Sequence, residues 1–164
     1  MGKVIAFSNQ KGGSGKTTLS ANIAVLWSNS GYKVAVIDAD AQKSLTYWIE
    51  ERKKYYGEGD IGISSYNFDI RNINEELKNI KRKYDFIIID SPPSITYDTL
   101  QIVRASNKVF VPAQPSPLDL MATLPFLELA KKERKNPIII LNRVMARAKL
   151  TDAMILRLRY AGAK

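Results

Sequence analysis

The residues best suited to chemistry stand together near the amino terminus: Gln10-Lys11-Gly12-Gly13-Ser14-Gly15-Lys16-Thr17-Thr18. Glycines at this density let backbone N–H groups converge on an anion with no Cβ in the way. A short apolar run, 4–7, precedes the stretch, and a helical pattern follows from Thr17. The loop would thus open onto a helix amino terminus and its partial positive charge. Strand, glycine loop and helix form a phosphate cradle, in which Lys16 reaches the β- and γ-phosphates and the Thr17 hydroxyl ligates Mg²⁺. The spacing nearly fits G-x-x-x-x-G-K-[ST], but Gln10 occupies the place of the first glycine.

Two further stretches carry carboxylates at the ends of apolar runs. Phe86-Ile87-Ile88-Ile89 ends at Asp90. A buried strand closing on one carboxylate can bring it beside a nucleotide's Mg²⁺, typically through water. The run 34–37 ends in Asp38-Ala39-Asp40-Ala41-Gln42. There one carboxylate suits the metal shell and the other the positioning of an attacking water; a turn held by local Asp hydrogen bonds is the competing reading. Histidine and cysteine are both absent, so thiol and imidazole catalysis, disulfides and cysteine-held clusters drop out. Asn142, after the apolar run 138–141, offers both a donor and an acceptor, and suits a base edge or a turn.

The second lysine narrows the motif. K-G-G-x-G-K-T-T over residues 11–18 is the deviant Walker A signature, and the chain resembles the ParA/MinD family of P-loop ATPases, small ParF-like partition proteins in particular. The resemblance implies that Lys11 reaches across a dimer interface to the partner's phosphates. It implies that Asp38 lies near Mg²⁺ and that Asp40 orients water, from a D-x-D-P-Q motif in which Ala41 here replaces proline. A carboxylate is a poor base near neutral pH, so Asp40 is expected to position water more than to abstract its proton. Asn142 then becomes the adenine contact, and the proline-rich segment 111–119 part of a dimer or polymer surface.

What the resemblance implies as a whole is a slow, partner-stimulated ATPase using ATP and Mg²⁺. ATP closes a homodimer, with higher polymers as a further state, and the dimer binds DNA without sequence preference. A ParB-like or ParG-like centromere-binding adaptor stimulates turnover. The setting is cytoplasmic and nucleoid-associated, with no membrane partner. Two other readings stand: a MinD-like positioning ATPase, and a nucleotide-dependent scaffold with little hydrolysis. Relatives of this kind continue for another strand and one or two helices, so residues 1–164 are expected to form one domain lacking the family's carboxyl-terminal elements.

Charge supplies the candidate DNA contacts. Of the net +9, residues 1–130 carry +1 and residues 131–164 carry +8. Such a cluster reads as a phosphate-backbone footprint or as a solvated basic face. Arg143, Arg147, Lys149, Arg157 and Arg159 are the candidates. Hydrophobic residues make up 45% of the chain, enough for one core, and no apolar run reaches membrane-spanning length.

The elements that must hold these residues follow from periodicity. Apolar runs predict strands at 3–8, 34–37, 61–68, 85–90, 109–111 and 138–141. Helical spacing predicts helices at 17–30, 43–54, 73–83, 95–106, 117–132 and 151–160, with Leu19, Ile23, Leu26 and Trp27 near helical spacing on the first. Pro125 is expected to kink its helix, and 112–117 to form a stiff loop. Continuous apolar strands alternating with helices predict a single-domain P-loop α/β fold: a mostly parallel sheet with helices on both faces. Ligands bind such sheets at the carboxyl ends of the strands, where every motif above falls.

Overall fold

The computed structural model describes residues 1–57, 62–145 and 155–156. Six strands form one sheet: β1 (Lys3–Phe7), β2 (Val34–Asp38), β3 (Ile63–Tyr66), β4 (Phe86–Asp90), β5 (Lys108–Ala113) and β6 (Ile138–Leu141). Their order is β3-β2-β4-β1-β5-β6, and every pairing is parallel. Helices α1 (Lys16–Asn29), α2 (Ser44–Tyr56), α3 (Ile73–Ile80), α4 (Tyr97–Ala105) and α5 (Pro117–Lys132) return the chain between strands.

Both faces of the sheet are covered, which is why the strands read as unbroken apolar runs. On one face Val4, Ala6, Ile87 and Ile89 pack with Ile73, Leu77 and Ile102 of α3 and α4. On the other, Ile5, Phe7, Val36 and Ile88 pack with Ala21 and Ala24 of α1 and Leu45 and Ile49 of α2. α5 closes the first face beyond α4 through Phe126, Leu127 and Ala130 against Val109 and Val111.

The order brings β1 to the middle, between β4 and β5. The register aligns Phe7 with Asp90 and Asp38 with Asp90. The ends of β1, β2 and β4 therefore meet at one level, at the point where crossovers leave the sheet in both directions.

Several expectations are corrected. The buried residues of α1 beyond Lys16 are Ser20, Ala21 and Ala24. Small side chains let this helix sit close over the centre of the sheet; Leu19, Ile23 and Trp27 pack at its flanks and Leu26 is 56% exposed. The strand expected at 109–111 runs on through Pro112 to Ala113. β1 has already ended there, and the Pro112 carbonyl accepts from Asn9 Nδ2 (2.8 Å), so proline's missing N–H costs no ladder bond on that side. α5 runs unbroken over the predicted span, with Pro125 inside it. It begins as expected, with Ser116 Oγ accepting from Asp119 N and Pro117 at the first turn. α3 stops at Ile80, after a 3₁₀ turn at Ile70–Asn72. Of the helix predicted at 151–160, only 155–156 lie among the described residues, and both are helical.

Candidate nucleotide site

The glycine loop joins β1 to α1 at the centre of the sheet's carboxyl end. Gly15 caps α1 with φ 103°, a conformation costly for any residue with a Cβ. A Cβ there would also strike the side-chain amide of Asn142. Gly13 has positive φ as well, and neither Gly12 nor Gly13 has atoms crowding the Cβ position, so their backbone lies open to an incoming group.

Lys16 opens α1 and is almost fully buried, at 6% exposure. Burial pushes its pKa below the ordinary lysine value, with Asp90 and Asp40 opposing that shift. Its Nζ donates to the Lys11 carbonyl at 3.2 Å. Asp90 is 1% exposed. Burial raises its pKa to about 7; Asp38 adds to the rise, while the Thr17 side chain and Lys16 pull it back. Asp90 Oδ1 receives a long contact from Ser20 Oγ (3.5 Å), and Asp90 Oδ2 and Ser14 Oγ are buried without hydrogen-bond partners.

A divalent cation fits this arrangement. Two orphaned buried oxygens and a carboxylate that resists ionisation are what a cation would satisfy. Among the described residues no cluster of three His, Cys, Asp or Glu could cage a metal. That suits Mg²⁺, which takes one or two protein oxygens and completes its shell with phosphate and water.

Asp38 and Asp40 have different geometries. Asp38 is 3% exposed, and both its oxygens are engaged. Oδ1 accepts from Asp40 N at 3.1 Å; Oδ2 accepts from Thr46 N at 2.8 Å and Thr46 Oγ1 at 3.1 Å. Asp38 thus folds the loop that follows β2 and fixes the start of α2. Asp40 accepts from Gln42 N at 3.0 Å (a local Asp turn) and lies close enough to Lys16 and Asp90 to affect both. Lys43 replaces a conventional cap on α2 at φ 51° and donates to the Asp38 carbonyl at 2.8 Å.

Asn142 stands at the end of β6, beside the loop. Its Nδ2 donates to the Ser14 carbonyl at 3.0 Å and its Oδ1 accepts from Arg143 N at 3.0 Å. Arg143 is exposed at φ 57°. Arg147, Lys149, Arg157 and Arg159 lie outside the described residues. Thr18 is exposed on the first turn of α1, and Lys11 is half-buried at the loop's rim.

Sequence reasoning passed over the residues that brace the loop. Asn9 Nδ2 also donates to Thr123 Oγ1 (3.1 Å), and its Oδ1 accepts from Lys11 N (3.2 Å). Gln10 Nε2 donates to the Ala122 carbonyl of α5 at 2.6 Å, and Gln114 Nε2 donates to the Gly13 carbonyl at 3.1 Å. The departure at position 10 was the available signal. A residue replacing an expected glycine spends its side chain on tying the loop to α5.

A buried lysine, a strand-end carboxylate and a glycine loop on a helix amino terminus define a P-loop nucleotide-binding fold. Residues 5–164 match the CobQ/CobB/MinD/ParA nucleotide binding domain, and the chain belongs to this ParA/MinD family of nucleotide-binding ATPases. It is 34% identical over 156 residues to Maintenance of carboxysome distribution protein A of Halothiobacillus neapolitanus, covering 92% of this chain and 70% of that protein. It is 29% identical over 149 residues to the sporulation initiation inhibitor protein Soj of Bacillus subtilis, covering 70% of this chain and 59% of Soj. The fold matches apo McdA of Cyanothece with a TM-score of 0.81 at 20% identity, covering 98% of this chain and 82% of that one. It matches pNOB8 ParA bound to nonspecific DNA with a TM-score of 0.76 at 24% identity, covering 97% and 76%. No helix among the described residues is long and apolar enough to cross a membrane.

Proposed function

We propose that the chain is a ParA-type ATPase that dimerises on ATP, binds DNA without sequence preference, and is reset by hydrolysis. The observation that carries this reading is the buried Lys16–Asp90 pair beneath an open glycine loop, two charges that burial disfavours until phosphate and cation join them. In this reading the loop amides from Gly12 to Thr18 and the Lys16 ammonium receive the phosphates. Thr17 and, through water, Asp90 would hold Mg²⁺, which would supply positive charge against the phosphates. Asp38 acts through water, since its own oxygens brace the loop after β2. Asp40 orients the attacking water. Asn142 contacts adenine once its amide releases the Ser14 carbonyl.

Lys11 differs from Lys16. Among the described residues no group accepts a hydrogen bond from its ammonium, and it stands at the rim. That suits a lysine whose target is the phosphate of a second subunit. ATP then joins the two protomers, and loss of the γ-phosphate releases the segment 38–42 that reads it. Pairing two subunits multiplies the phosphate contacts available to DNA. A second reading, the positioning of a cargo other than a plasmid, is favoured by the 34% identity to a carboxysome distribution protein.

Sedimentation of wild type and Lys11→Ala, with ADP or ATP and with or without a random DNA fragment, tests the switch. The expected result is ATP-dependent dimerisation and DNA binding in wild type, both lost in Lys11→Ala. A wild type that stays monomeric in ATP and ignores DNA at low salt overturns it and leaves a nucleotide-binding scaffold.

A further inference from the structure

The segment that follows β2 carries Asp40, and the chain fixes it from both sides of that strand. Towards β4, Ala39 N donates to the Asp90 carbonyl at 2.9 Å, continuing the ladder one residue past β2. Within the segment, Asp38 Oδ1 accepts from Asp40 N, Asp40 Oδ1 accepts from Gln42 N, and the Asp40 carbonyl accepts from Lys43 N at 3.0 Å. Towards β3, the side chain of Lys43 turns back. Its Nζ donates to the Asp38 carbonyl at 2.8 Å and to Asn67 Oδ1 at 3.2 Å. Asn67 directly follows β3, whose Tyr66 is level with Ile37 of β2. One lysine therefore ties together the carboxyl ends of β2 and β3.

Lys43 does this from a backbone conformation that disfavours it. Its φ is 51° and its ψ 31°, in the left-handed region where a Cβ is crowded. The residue ahead of a helix normally lies in the extended region and caps the first turn with a short polar side chain. Lys43 makes no such cap bond. Glycine would take this turn freely, so the lysine contributes through what its side chain reaches. Both partners of its ammonium are neutral, a main-chain carbonyl and an amide oxygen. What they gain from it is a fixed position rather than a neutralised charge. Backbone strain of this kind persists where the surroundings over-determine it, and it gathers at working sites.

We infer that Lys43 is a positioning residue for hydrolysis: anchored on the Asp38 carbonyl and Asn67, its ammonium holds segment 38–43 in the conformation that presents Asp40 to the attacking water. The inference deepens the ATPase reading above and rests on the role that reading gives Asp40. Asp40 is half-buried and close enough to Lys16 and Asp90 for its charge to act on both. Its bond to Gln42 N lies inside the segment and moves with it. The outside anchors are the Ala39–Asp90 bond and the Lys43 tether, so loss of the tether leaves the segment held on the β4 side. β4 also separates β2 from β1 and its glycine loop. The tether thus acts on the water-positioning carboxylate and leaves the phosphate cradle as it is.

Three variants test the tether. Lys43→Met keeps the stem and removes the ammonium, Lys43→Arg keeps a donor, and Asn67→Ala removes the outer anchor. Each is measured for steady-state turnover of Mg·ATP, for ADP affinity, and for hydrogen exchange of the Asp40 and Gln42 amides without nucleotide. Lys43→Met is expected to lose about tenfold in kcat, short of the ~100-fold that a 1 Å misplacement can cost, with KM and ADP affinity unchanged. Exchange at the two amides is expected to quicken about tenfold as the segment opens more often. Lys43→Arg retains most of both properties, and Asn67→Ala shows a smaller loss in the same direction. Wild-type kcat in Lys43→Met overturns the inference, and with faster exchange it leaves the lysine a structural tie alone. An ADP affinity that falls as far as kcat overturns it too, since the lysine then acts on the cradle. A wild type that binds Mg·ATP and never turns it over overturns the ATPase reading and the positioning role with it, whereas normal turnover in Lys43→Met overturns the role alone.

Discussion

The two ends of this sheet handle charge in opposite ways. At the carboxyl end, strands close on carboxylates: Asp38 on β2 and Asp90 on β4, both nearly buried, with Lys16 buried beside them. At the amino end, strands begin with lysines that are exposed and spread across the sheet. Buried charges are few and demand a partner in one geometry, which makes them suited to recognising a phosphate and a metal. Exposed charges tolerate movement and act by number, which suits a polyanion. Parallel topology makes the division possible, because all six strands begin on one side and end on the other.

The comparison breaks most sharply at Lys16. Lys16→Ala is expected to weaken ATP binding by about 100-fold, since it removes charge-assisted bonds inside a site shielded from water. Lys83→Gln changes the same charge at the other end and is expected to leave ATP affinity unchanged. Isothermal titration of both variants checks this. Equal losses would mean that the two ends are coupled and that the division above is wrong.

Asp90 offers the next largest effect. Its folded pKa of about 7 lies above the ordinary aspartate value, so the folded protein binds this proton more tightly than the unfolded chain. Stability from this group is therefore full below about pH 4 and lost as pH rises through about 7. Asp90→Asn removes the burdened charge, although it also deprives Lys16 of an opposing one. The variant is expected to match wild type at pH 4 and to exceed it by about 1–2 kcal/mol at pH 8, without nucleotide or metal. Thermal unfolding across that range measures the difference. Mg·ATP should stabilise wild type more than the variant, reversing the order at pH 8. A pH-independent offset would show that Asp90 is not the titrating group.

Legibility in the sequence followed the same division. The carboxyl end was readable because its residues are contiguous: a glycine loop, a strand ending at Asp90, a turn after Asp38. The strands themselves were readable because burial on both faces leaves unbroken apolar runs. The amino-end lysines were not, because they lie far apart in the chain and become neighbours only through the order β2-β4-β1-β5-β6. Counting charge along the chain pointed instead to residues 131–164, most of whose candidates lie outside the described residues. The small residues of α1 at the centre of the sheet did not stand out for another reason. Close helix–sheet packing at the centre favours Ser20, Ala21 and Ala24 over larger apolar residues, and periodicity weighs hydrophobicity rather than size. The role of Asp38 was only half visible, since its bonds to Thr46 depend on how α2 begins.

The smallest expected effect concerns the bracing of the loop. Gln10 Nε2 and Gln114 Nε2 tie the loop to the start of α5 and to the end of β5. Neither touches the buried Lys16–Asp90 pair, so each acts on how well the loop is held. Gln10→Ala is expected to weaken ATP binding about two- to fivefold, the value of one partly buried hydrogen bond. Gln114→Ala, at an exposed contact, should do less. The two brace the same loop from its two sides, so the double variant should lose more than the product of the single losses. A double-mutant cycle on nucleotide affinity measures that coupling. Strict additivity would mean the loop is rigid by its own glycine geometry and the braces serve α5 instead. Coupling would tie nucleotide affinity to the position of α5, and so to any surface that α5 presents.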